Sequence, residues 1–191
     1  MKSTLSDIVS FMHRIPDLAN FAEEELSLLA RAMSVGDFPD GHQFITEGER
    51  GDTSYLLLQG DVHVTRRSEG QRGAEFVERL HAGAMFGLLA LIDNGPRAAT
   101  CKAHGPVTVA ALPRNVFNLL TNANASIGQH FQFLIARQLA RDTRIFNQAI
   151  QEVMRTGNKS QFYGILRAVS YEYRGPERRL EERRSRADRR L

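Results

Sequence analysis

Between Gly36 and Leu112 the chain is cut into short extended runs by glycine turns, and this spacing constrains the fold more than any other feature. Candidate strands are 43–46, 54–59, 62–66, 75–80, 99–103 and 107–112. The punctuation is Pro39-Asp40-Gly41, Glu47-Gly48-Glu49, Gly51-Asp52, Gln59-Gly60-Asp61, Ala82-Gly83 and Asn94-Gly95-Pro96. Many short strands at this interval predict a sandwich or barrel.

Helical periodicity flanks this region on both sides. Ile8, Phe11 and Met12 recur at helical spacing, and Ile15-Pro16-Asp17 breaks the pattern. Phe21, Leu26, Leu29 and Met33 fit a second amphipathic helix, with Glu23, Glu24 and Glu25 near its positive end. After Pro113 the spacing predicts a short helix at 115–120 and a long one from about 125 to 155, ending at Thr156-Gly157-Asn158. Along the long helix Ile135, Leu139, Asp142, Phe146, Ala149 and Val153 form a narrow seam. Two readings of that seam stay open: packing on the chain's own sheet, or pairing with a second copy in a homodimer. The predicted class is α+β, a jelly-roll-like β-roll between N-terminal helices and a long C-terminal dimerisation helix. Residues 1–157 form the domain, and 158–191 carry a short helix and a tail.

No apolar run approaches the ~20 residues that span a bilayer, so no membrane partner is expected. Met1 to Asp7 lacks the apolar core of a signal peptide, and the lone Cys101 cannot form an intrachain disulfide. Both point to the cytoplasm. The six histidines show no metal-ligand spacing, and no nucleophilic constellation of Ser, Cys and His is visible, so neither a metal nor catalysis is expected.

The run Phe86-Gly87-Leu88-Leu89-Ala90-Leu91-Ile92, followed by Pro96-Arg97-Ala98-Ala99-Thr100, has a different character. A glycine turn there can aim the backbone N–H groups of Leu88, Leu89, Ala90 and Ala98 at an anion, while Arg97 clamps it from the side. The competing reading of Arg97 is a loop bridge to Glu49 or Asp52. This run closely resembles the phosphate-binding cassette of cyclic-nucleotide-binding domains, such as the regulatory subunits of cAMP-dependent protein kinase. Gly41, Gly48, Tyr55, Gly60, Gly83 and Gly87 also match that family's eight-stranded β-roll, and the resemblance extends over roughly residues 21–153. It implies a cyclic-nucleotide ligand held at Gly87, Leu88, Leu89, Ala90, Arg97 and Ala98. The family carries a glutamate for the ribose 2′-hydroxyl where this chain has Leu88, and Ala98 leans toward adenine, hence a cAMP-like ligand.

The C-terminal segment is strongly basic. Residues 167–191 hold nine Arg against four Glu and one Asp, a net +4 within an overall +3, so residues 1–166 carry −1. Arg179-Leu180-Glu181-Glu182-Arg183 has the R-x-x-x-R spacing that resembles the arginine segment of PilZ-type cyclic di-GMP receptors, making Arg174, Arg178, Arg179, Arg183 and Arg184 candidate anion-binding residues. A solvated extension and non-specific nucleic-acid binding are the alternatives. The 34 residues after Gly157 are too few and too polar for a winged helix-turn-helix, so specific DNA readout by that motif is not expected. The expected function is a non-enzymatic regulator that senses a second messenger and signals through its C-terminal helices to a protein partner. The alternatives are a nucleic-acid-binding regulator and a scaffold with a degenerate pocket.

Overall fold

The computed structural model describes residues 4–67, 74–89 and 95–156. Helix α1 (Leu5–Met12) starts at Thr4, whose hydroxyl accepts the Asp7 N–H while the Asp7 carboxylate accepts the Thr4 N–H. A 3-10 turn at Pro16–Leu18 follows, then helix α2 (Glu23–Ala32). The six strands are β1 (Ser34–Phe38), β2 (Gln43–Ile45), β3 (Thr53–Arg67), β4 (Ala74–His81), β5 (Met85–Phe86) and β6 (Thr100–Pro113). Two helices close the described chain, α3 (Arg114–Ala123) and α4 (Ala125–Thr156). Asn124 separates them, its side-chain oxygen accepting the N–H groups of Ser126 and Ile127 at 3.1 and 3.4 Å.

The sheet is antiparallel in the order β1-β6-β3-β4, with β2 on β6 and β5 on β3. Two corrections to the sequence reading arise here. The turn expected at Gln59-Gly60-Asp61 does not end a strand: β3 runs through it, with the register against β6 slipping on either side of Gln59. Likewise 99–103 and 107–112 are one strand, continuous through Gly105. Gly60 and Gly105 adopt φ of 85° and 78°, so glycine lets each strand change direction without breaking. Counted on both sides of those glycines, the described residues contain eight strand segments, four of them from β3 and β6.

Alternation along the strands sorts side chains into two cores. From β3, Leu57 and Val62 point into the roll with Val107 and Val109 of β6, while Leu56 faces the helices with Ala110 and Leu112. The helical core collects Met12, Leu18, Leu26, Leu29, Phe117 and Phe131 on that second face. Of the seam on α4, Ile135 packs in this intrachain core and Leu139 is exposed. The side chains of Asp142, Phe146, Ala149 and Val153 lie outside the described set. The same holds for residues 157–191, which contain every arginine singled out in the tail. Among the described residues, no helix is long and apolar enough to cross a membrane, and no His, Cys, Asp or Glu cluster suits a metal.

A buried carboxylate ties α4 back to the N-terminal helices. Glu25 accepts the Ala22 N–H at 2.8 Å and meets His130 Nδ1 at 3.1 Å. Burial works to raise the Glu25 pKa, but hydrogen bonds from the Ser126 side chain and Ala22 and the His130 charge together outweigh it and hold the carboxyl below its ordinary value. Asp61 behaves alike, with burial outweighed by Arg79 and His81. A carboxyl lowered in the folded state contributes stability above its unfolded pKa and loses it as pH falls through the folded value. Acid titration from about pH 6 to 3 should therefore lower the melting temperature. Glu25→Gln should flatten that descent, and an unaltered acid limb in this variant would show that Glu25 gains nothing from its partners.

Candidate anion site at Arg97

The site forms where β3 begins and β5 ends. Gly87 follows the two-residue pairing of β5 with β3 and turns the chain with φ of 75°. The backbone angle favours glycine, and a Cβ there would stand 2.8 Å from Arg97 Nη1 and 2.9 Å from Ile45 Cδ1, displacing the guanidinium from its place. Arg97 reaches back into this corner. Its Nη1 donates to the Gly87 carbonyl at 3.0 Å and its Nη2 to the Thr53 carbonyl at 2.7 Å. The Arg97 backbone is fixed as well, by its N–H to the Glu49 carbonyl and by the Gly48 N–H to its own carbonyl, each at 2.9 Å. Thr100 anchors the same loop by accepting the Glu47 N–H at 3.0 Å.

Arg97 is 9% exposed, yet it forms no ion pair among the described residues. The bridge to Glu49 or Asp52 weighed from sequence is thus not made by the side chain; its partners are backbone carbonyls. Burial lowers the Arg97 pKa, with Tyr55, Cys101 and Asp52 acting in the opposite direction and Arg114 adding to the lowering. A guanidinium taken out of water without a counter-charge is costly, and an anion offsets that cost. Among the described residues, two of its five N–H donors are engaged, and the fork is of a kind that takes up phosphate oxygens.

The neighbouring positions divide. Leu88 is 6% exposed and packs in the helix-side core with Leu56, Met85 and Leu112, whereas Leu89 is 45% exposed and Ala98 is also exposed. Ala90 lies outside the described residues, as do 91–94. The Leu88 side chain is thus a core residue rather than a sugar contact. Leu88→Glu should cost at least about 3 kcal/mol of stability, because it removes a packed leucine and buries a carboxylate. A denaturant midpoint equal to the parent's would mean that this side chain turns toward the ligand instead.

Sequence reasoning missed an aromatic track beside Arg97. Tyr55 stacks on Phe86 with centroids 5.1 Å apart, and Phe44 contacts both at 5.3 and 5.8 Å. Phe38 and His42 continue the row from Phe44. Alternation at 42 and 44 hinted at it, but contacts between separate strands have no local signature. Cys101 is buried in β6, as its strand position suggested.

The arrangement of roll, glycine corner and buried arginine matches a known family. Residues 36–124 match the model of the cyclic nucleotide-binding domain, and this segment of the chain belongs to that family. The chain is 31% identical over 130 residues to a cAMP-dependent protein kinase regulatory subunit of Neurospora crassa, covering 68% of this chain and 33% of that protein. It also resembles the regulatory domain of Toxoplasma gondii PKA co-crystallised with cAMP, with TM-score 0.62, 30% identity, and 71% and 49% of the two chains covered. A cyclic nucleotide-binding domain from Methylobacillus flagellatus superposes with TM-score 0.65 at 28% identity, covering 73% of this chain and 78% of that one. The chain thus spans about one third of the length of the Neurospora relative.

Proposed function

We propose that this chain is a non-enzymatic regulatory module that takes the phosphate of a cyclic nucleotide against Arg97 and answers through α3 and α4. The observation that carries this reading is the buried guanidinium at the corner made by Gly87, which has no carboxylate partner among the described residues. Membership of the family supports it, as does the Toxoplasma relative bound to cAMP. Ala98 favours adenine over guanine, by resemblance, and the buried Leu88 leaves the sugar without the family's carboxylate. The ligand is therefore held by its phosphate and its base more than by its ribose.

Calorimetry with cAMP, cGMP and cyclic di-GMP tests the proposal. Micromolar binding of cAMP that exceeds binding of cGMP is the expected outcome. Heat from cyclic di-GMP alone, lost on truncation after Ser170, would transfer ligand binding to the arginine tail. No heat from any of the three would leave the roll a scaffold.

A further inference from the structure

Three histidines meet on the outer face of the roll. Along β3, Val62 points into the inner core, as do Leu80 of β4 and Ala103 of β6. Their neighbours Asp61, His63, Arg79, His81, Lys102 and His104 therefore share the opposite face, where Arg79, Lys102 and His104 are exposed and the rest half-buried. Register sets them in rows. Asp61 stands opposite both His81 and His104, and His63 opposite both Arg79 and Lys102. Across one diagonal the imidazoles of His63 and His104 stack, with centroids 4.0 Å apart and planes 14° apart.

The stack sits where the ladder is interrupted. The register of β3 against β6 slips between Gln59 and Asp61, and the bends at Gly60 and Gly105 fall on that same side of the pair. The stacked rings brace β3 against β6 there from outside, while Asp40 Oδ1 accepts the Gly105 N–H at 2.7 Å.

The charge around the pair leans positive. Among the described residues, the groups facing it are Asp61 from β3, Arg79 and His81 from β4, Lys102 from β6 and Asp40 from the loop before β2. Both Asp61 oxygens are engaged, Oδ2 by Arg79 at 2.7 Å and Oδ1 by His81 at 2.6 Å. A first proton on the stack sets an imidazolium against a neutral ring. A second sets two cations face to face at 4.0 Å, beside Arg79 and Lys102, with the nearby carboxylates committed elsewhere. Burial, then the His104 and Arg79 charges, hold His63 below the ordinary imidazole value, against the pull of Asp61 and Asp40.

We propose that the His63–His104 stack is a proton-operated brace, closed at neutral pH and parted when acid charges both rings. Its opening loosens β3 and β6 beside Gly60 and Gly105, whatever Arg97 binds. A histidine held low leaves stability untouched above the unfolded imidazole value of about 6.5, and stability is lost as pH falls through that value. On acidification this loss precedes that of the carboxylates Glu25 and Asp61.

The test takes the full chain through two measurements. One is an NMR titration of the histidine ring protons from about pH 8 to about pH 5. The other is hydrogen–deuterium exchange of residues 59–63 and 103–107 at about pH 7.5 and about pH 5.5, corrected for intrinsic exchange. In the parent, exchange there should rise at least about fivefold over that drop. His104→Phe keeps a ring for the stack and removes its proton, and a cation over an aromatic face is attracted. This variant should raise the His63 midpoint by about half a pH unit or more and hold the exchange rise below about twofold. His63→Phe should suppress the rise equally, and it replaces His104→Phe if that variant fails to fold.

An unmoved His63 midpoint in His104→Phe would show that the rings titrate independently and would overturn the brace. So would an exchange rise equal to the parent's in either variant, which would assign the loosening to Asp61 and its partners. No rise in the parent would overturn it as well, leaving the stack a packing contact.

Discussion

Arg97→Ala is expected to weaken cAMP binding at least about a hundredfold. A phosphate at this corner would accept two charge-assisted bonds from the guanidinium, each contributing about 1.5–3 kcal/mol, and a factor of ten corresponds to about 1.4 kcal/mol. Arg97→Lys should fall between, about tenfold weaker than the parent, because an ammonium keeps the charge and loses the planar fork. Calorimetry on the three proteins reads this directly. Equal affinities for all three would place the ligand elsewhere on the chain.

Gly60→Ala should cost about 3–5 kcal/mol of stability. Two penalties coincide there. The residue has φ of 85°, a region that costs an L side chain about 1–2 kcal/mol. The added Cβ would also stand 2.5 Å from the Pro106 carbonyl oxygen and 3.1 Å from Val107 Cα, both backbone atoms that a rotamer change cannot move. For a chain of this length each kcal/mol shifts the melting temperature by about 2–4 °C, so a drop of about 10 °C is expected. Gly105→Ala is the matched comparison. Its φ is 78° and no atom lies within 4 Å of the added Cβ, so it should lose only the backbone share. Equal melting temperatures for the two variants would show that the strand relaxes away from Pro106.

Much of the architecture was legible because local chemistry and tertiary structure agree. Pro16, the Glu23 to Glu25 cluster and the apolar spacing place the N-terminal helices within a residue or two of where they lie. That Gly87 turns the chain beside Arg97 was legible for the same reason, since a positive φ demands a particular residue type; that the corner binds an anion remains the proposal. Continuity through Gly60 and Gly105 was not, since a glycine that redirects a strand and one that ends it look alike in sequence. Strand β1 also escaped, because Ser34-Val35-Gly36-Asp37-Phe38 has weak strand propensity and is held by its pairing with β6. The direction of Leu88 and the carbonyl partners of Arg97 depend on which segments meet at the corner, and no spacing encodes that.

The ladder between β3 and β6 also governs when the site comes into being. It joins Thr65 to Thr100 at one end and Thr53 to Pro113 at the other, so every rung closes a loop of several tens of residues. Closing such loops costs chain entropy before any rung returns it, which makes pairing of this kind slow to form. Gly51–Thr53 enters at the start of β3, whereas Arg97 and Arg114 flank β6. Until that ladder exists the two arginines cannot hold the Gly51–Thr53 carbonyls from both sides, and the corner proposed for a phosphate is incomplete. The candidate anion site is a product of the completed roll, and a ligand that binds there as proposed would act on a finished molecule, holding it folded rather than guiding it there.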